Sequence, residues 1–121
     1  MANPSTGFGG AGTEVLRRSY VNNLSNTETR LLDGDPNHIY TILSVVFHER
    51  AASTDEKIEM YVDVDDSGTT LNLITNQPLG AWETFVWNDR FVMTETDELF
   101  VKVGSGATVD VYCSYIDQQL A

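Results

Sequence analysis

Lys57-Ile58-Glu59-Met60-Tyr61-Val62-Asp63-Val64-Asp65 alternates without a break, placing Ile58, Met60, Val62 and Val64 on one face and Glu59, Tyr61, Asp63 and Asp65 on the other. A period of two is that of an extended strand with one buried and one wet face. Asp66-Ser67-Gly68 follows as a turn into Thr70-Leu71-Asn72-Leu73-Ile74. The same grammar holds from His38 to Ile116, with turn residues about every eight to twelve positions, the spacing of an antiparallel sandwich or barrel.

Working outward, Ile39, Thr41, Leu43, Val45 and Phe47 alternate with Tyr40, Ile42, Ser44, Val46 and His48. Both sets are largely apolar, which predicts a central strand covered on both faces. Asn76-Gln77-Pro78-Leu79-Gly80 reads as a turn leading into a strand from Ala81 to Trp87, and Arg90–Met93 as a further short strand. Leu99–Val103 and Thr108–Ile116 read as a hairpin across Gly104-Ser105-Gly106, and Thr27–Leu32 as a first strand ended by Asp33-Gly34-Asp35-Pro36-Asn37. The expected fold is all-β: an antiparallel sandwich, jelly-roll-like or Ig-like, of seven to eight strands over residues 27–121. Ahead of it, residues 1–26 read as an extended, glycine-rich arm. Within that arm, Thr13–Tyr20 fits a helix capped by Thr13 and a strand equally well.

A chain of 121 residues can bury a working core as one domain without disulfides or metal. Its opening has no basic, then apolar, leader pattern, and no run approaches a membrane span, so residence in or assembly from the cytosol is expected. The single cysteine, Cys113, falls in an apolar strand pattern and is expected to pack as a small hydrophobe. Seven basic and 18 acidic side chains give a net charge of −11, opposite to the footprint of a nucleic-acid binder. The charge is uneven: residues 1–32 carry +1 and the remainder −12. The bland reading is a solvated surface; the sharper one is an arm that docks on an acidic neighbouring subunit.

The residues offer little chemistry. His38 and His48 are the two histidines, and no nucleophile elbow, zinc-protease motif or Cys/His ligand spacing occurs. No catalytic residue, metal or cofactor is assigned. Gly7-Phe8-Gly9-Gly10-Ala11-Gly12 resembles a phosphate loop in composition but follows no strand and opens no βαβ unit. Asp63, Asp65, Ser67 and Gly68 match the first half of a calcium loop, yet the twelfth position is Ile74 where a bidentate Glu is required. Glu95, Asp97 and Glu98 form a second acidic group, whose use in glycoside hydrolysis would need two carboxyls opposed across a cleft. Trp82 and Trp87 are candidate sugar-stacking residues, expected on opposite faces of their strand.

The order Asn37-His38-Ile39-Tyr40-Thr41-Ile42-Leu43, then Leu73-Ile74 with Pro78-Leu79-Gly80-Ala81, then Thr96-Asp97-Glu98-Leu99-Phe100-Val101, and finally Val109-Asp110-Val111-Tyr112, resembles a known group. It is similar to small β-sandwich virion proteins of tailed bacteriophages, which are capsid decoration or cement proteins or head-tail and tail accessory components. The resemblance covers about residues 37–117 and implies a non-enzymatic structural protein located in the virion and assembled in host cytoplasm. It implies as partners the major capsid protein or other virion proteins and further copies of the chain, with a trimer fitting a capsid axis, and neither nucleic acid nor membrane. The residues suggested to anchor the arm are Arg17, Arg18 and Tyr20, so removing residues 2–20 is expected to leave a folded sandwich that no longer joins particles. The alternative is a carbohydrate-binding or receptor-adhesion module built on Trp82 or Trp87.

Overall fold

The computed structural model describes residues 12–120. Nine strands form among these residues: β1 (Gly12–Leu24), β2 (Thr29–Asp33), β3 (His38–Glu49), β4 (Glu56–Val64), β5 (Thr69–Leu79), β6 (Thr84–Trp87), β7 (Phe91–Thr94), β8 (Glu98–Val103) and β9 (Val109–Leu120). Among the described residues there is no helix, hence none long and apolar enough to cross a membrane.

Every pairing is antiparallel, and the strands divide between two sheets. Sheet I runs β1-β9-β3, with β6 and β7 each pairing half of β3's far side; sheet II runs β2-β8-β4-β5. Counting β6 and β7 as one interrupted strand, consecutive strands alternate between sheets except for the β4–β5 hairpin within sheet II, which is the order of an eight-stranded jelly roll. The sandwich expected from the alternation is therefore present. The strand beyond seven or eight is β1, formed by the segment that fits helix and strand alike.

The inner faces supply the core. Ile58 and Met60 from β4, Leu99, Val101 and Val103 from β8, and Ile42, Val45 and Phe47 from β3 are essentially solvent-free, closed below by Met93 and Val109. Cys113 joins this core as expected, and burial pushes its thiol up to about 12. On the opposite face of β4, Tyr61 stacks on its cross-strand neighbour Phe100 with centroids 5.3 Å apart, so this outward side chain is sheltered too.

Three expectations are corrected. First, β3 is not one continuous alternation. Ile42 pairs with Tyr115 and Ser44 with Ser114, so Leu43 is the extra residue of a β-bulge and the strand changes phase there. Tyr40, Ile42, Val45, Phe47 and Glu49 all face the core, which is why both faces look apolar when the sequence is read straight through. Second, Gln77-Pro78-Leu79 belongs to β5. β5 is the edge of sheet II, where proline's missing N–H costs no ladder bond; the turn comes one step later, with Glu83 N–H bonded to Gly80 O. Third, Gly104–Gly106 does not close a hairpin, because β8 belongs to sheet II and β9 to sheet I. The connection crosses the sandwich and is fastened by Glu56, whose Oε1 accepts the Ser105 N–H at 3.0 Å.

The expected arm of residues 1–26 includes β1, which pairs with β9 from Gly12↔Leu120 to Leu24↔Val109. Leu24 is fully buried, and the Ser19 hydroxyl donates to Leu31 O of the other sheet. Removing residues 2–20 would thus strip most of an integral strand. Residues 1–11 of the arm, and with them all but the last residue of the glycine-rich segment Gly7–Gly12, lie outside the described residues.

Candidate interaction face

Residues directly opposite in a ladder point to the same side of a sheet, so the registers of sheet I define rows across its outer face. Tyr20, Tyr112, Val46 and Val86 form one row across four strands. Leu16, Ile116, Thr41 and Val92 form another, and Arg18, Ser114 and Ser44 lie between them, with the bulged Leu43 alongside. Tyr20 (61% exposed), Leu16, Val92, Val86 and Tyr112 are five of the eight large hydrophobic side chains left exposed among the described residues. Exposed apolar rows of this kind, flanking the Arg18-Ser114-Ser44 row, mark a candidate interaction surface.

The relief is shallow. One groove of about 630 Å³ runs between Arg18, Tyr20, Val46, His48 and Tyr112; a second of about 450 Å³ lies between Leu16, Leu43 and Tyr112. The Arg18 guanidinium sits 5.4 Å from the Tyr20 ring centroid, a cation–π contact that fixes both side chains at the exposed edge. At the ladder-paired positions of this face, carboxylates stand only at its two ends. Glu14 is in line with Gln118 and Ile39 at one end; Asp110 at the other is bound by Arg50 Nε at 3.1 Å and Asn22 Nδ2 at 2.7 Å. Among the paired positions between them the one full charge is Arg18, and the exposed Asp89 and Arg90 lie in the β6–β7 link at the side of the face.

The structure separates the three proposed anchor residues. Arg18 and Tyr20 are on this outer face, whereas Arg17 alternates to the inner side and its Nε donates to Asp117 Oδ2 at 3.0 Å. Asp117, largely buried, also meets His38 Nδ1 at 2.6 Å, so Arg17 and His38 fasten β1, β9 and β3 at the open end of the core. The two tryptophans are not brought together. Trp82 sits in the turn before β6, exposed and with φ of 63°. Trp87 is half-buried in the inner row of Ser19, Cys113 and Val45, edge-on to Phe91, its Nε1 donating to Asp89 O at 2.9 Å. They form no joint stacking platform.

The acidic segments are largely committed to turns. Asp63, Asp66 and Glu98 bring carboxylate oxygens within 4.8 Å of one another, a set different from the Asp63, Asp65 and Ser67 positions of a calcium loop. Glu98 already accepts from Arg30 Nη1 at 2.7 Å, which raises the Arg30 pKa, and Asp63 Oδ1 accepts the Gly68 N–H at 3.0 Å. Asp97 caps two segments, accepting from Thr94 N–H at 3.0 Å and Asp65 N–H at 2.8 Å. Glu95, Asp97 and Glu98 therefore do not face one another across a cleft. Two further buried carboxylates carried no signal as sites in the sequence. Glu49 Oε1 accepts from Ala51 N–H and the Thr108 hydroxyl, Glu56 Oε1 from Ser105 N–H, and each leaves Oε2 without a hydrogen-bond partner. Both continue their strands' inward phase, after Phe47 and before Ile58, and both hold the loop that carries the chain from β8 to β9.

No family model and no curated protein sequence matches the chain. Solved structures do. A chain of the capsid of Helicobacter pylori bacteriophage KHP30 superposes with a TM-score of 0.54 at 12% identity, covering 91% of this chain and 94% of its own. A chain of the T13 particle of infectious bursal disease virus (IBDV) gives 0.54 at 9% identity, covering 88% of this chain and 31% of its own. A subunit of the disulfide-linked pili of Bacillus endospore appendages gives 0.50 at 18% identity, covering 99% and 100%. The likeness is one of fold. The present chain spans about a third of the bursal disease virus chains it matches.

Proposed function

We propose that the protein is a non-enzymatic structural subunit of a virion, a decoration or cement protein of a tailed bacteriophage that binds the outside of the shell and reinforces it. The observation that carries this reading is the shallow outer face of sheet I, which exposes two apolar rows and has no carboxylate at its ladder-paired positions between the ends, on a chain otherwise rich in them. Such a face offers a neighbouring subunit a surface and offers a small molecule little enclosure. Arg18 and Tyr20 are its partner-binding residues, and Arg17 holds the strand that presents them. The capsid proteins that share the fold support the reading.

The test is assembly of the shell with and without the protein. Shells should form without it, soften when heated, and recover on addition of purified protein, with density for the sandwich on the outer surface by cryo-electron microscopy. Shells that neither bind nor respond to the protein would exclude the role. A second reading, a repeating subunit of a filament, is favoured by the pilus subunit that matches from end to end; ordered fibres of the purified chain in micrographs would support it instead.

A further inference from the structure

We infer that the outer face of sheet I is where two copies of this chain meet, face to face, through the rows containing Tyr20-Tyr112-Val46-Val86 and Leu16-Ile116-Thr41-Val92. This rests on the reading of that face as a binding surface and names its occupant. The first argument is charge. Two molecules of net charge −11 repel, and copies approach at least cost through a face from which carboxylates are missing. On this face the two acidic positions, Glu14 and Asp110, lie at opposite ends, and Asp110 is already bound by Arg50 and Asn22. A basic partner would be drawn instead to the acidic turns around Asp63, Asp66 and Glu95. A second copy presents the same carboxylate-poor rows, and the Arg18 of each copy offsets part of the long-range repulsion from the other's net negative charge.

The second argument is size and shape. Four strands spaced about 4.8 Å apart, over about eight residues of about 3.3 Å, give a surface roughly 20 Å by 25 Å. Closing two of them removes on the order of 1,000 Å² from water, the size of a weak, reversible interface at the lower bound for specific association. Sheets with apolar β-branched and aromatic faces stack on one another, as the two sheets within this sandwich do, and Tyr112 on the inner strand β9 and Tyr20 and Arg18 on the edge strand β1 are of the residue types enriched in binding hot spots.

Sedimentation velocity on the full chain should give twice the 13.4 kDa chain mass, with tighter association as salt is added, because salt screens repulsion between like-charged copies. Tyr112→Glu puts a carboxylate amid the rows and should halve the mass. Arg18→Glu, at an exposed position that folding tolerates, should do the same and decides the matter if Tyr112→Glu misfolds. Leu71→Glu, exposed on β5 of the other sheet, should change nothing. A monomer at every concentration, or a dimer indifferent to both substitutions on the face, overturns the inference. A monomer whose Tyr112→Glu variant is lost from shells refutes pairing of copies while sparing the assembly role; a dimer broken by the same variant, from a protein that never binds shells, upholds the pairing and refutes the role.

Discussion

Gly106 and Gly68 separate two costs at the scale of single residues. Both adopt left-handed backbone, with φ of 73° and 82°, where a Cβ costs about 1–2 kcal/mol. At Gly68 an added Cβ meets nothing within 4 Å, whereas at Gly106 it lands 2.6 Å from Glu56 Oε2, the oxygen without a hydrogen-bond partner. Gly106→Ala should therefore be more destabilising than Gly68→Ala in urea titration; equal losses would show that Glu56 moves freely aside. Cys113 sets a pH limit. Burial favours its neutral thiol in the folded state, raising its pKa from 9.0 to about 12, so above about pH 9 the unfolded chain sheds a proton that the folded chain keeps. By linkage this contribution is intact below pH 9 and is lost as pH rises toward 12. The melting temperature should fall over that interval, less steeply for Cys113→Ala, and the native thiol should resist alkylation at neutral pH. The cysteine's place was legible because Val109, Val111, Cys113 and Tyr115 keep strict phase. The roles of Glu49 and Glu56 were not, since inward phase says where a carboxylate points and nothing of the N–H that will meet it.

Among the strands, β4 was read correctly because one alternation runs its whole length. β3 was misread because a bulge is defined by its partner: Leu43 is extra only relative to Tyr115 and Ser114, some seventy positions away. Deleting Leu43 should be tolerated, since Ile42, Val45 and Phe47 keep their inward phase without it; circular dichroism should show a sandwich with a modestly lower melting temperature. Loss of the fold would mean that the bend at the bulge, and not only the phase, is required. β1 escaped a definite reading because Val15, Leu16, Arg17 and Arg18 carry no clean period, and its strand conformation is imposed by β9. Removing residues 2–11 should leave cooperative unfolding in place, while removing residues 2–20 should abolish it, by exposing the β9 edge and opening the inner rows beside Cys113. A cooperative melt for the longer deletion would show that β1 is dispensable after all.

For the molecule as a whole, the sequence announced a sandwich and concealed the surface that distinguishes it. Tyr20, Tyr112, Val46 and Val86 come from four distant segments and form a row only once the registers are known. Read singly, each is an ordinary exposed or half-buried side chain. The same arrangement dictates when that surface comes into being. β9, the last of the nine strands to leave the ribosome, is inserted between β1 and β3 and carries the middle of every row, Tyr112 and Ile116 included. A nascent chain lacking it has neither a finished sheet I nor an outer face to offer. The order of synthesis therefore acts as a timer, withholding stickiness until β9 is in place.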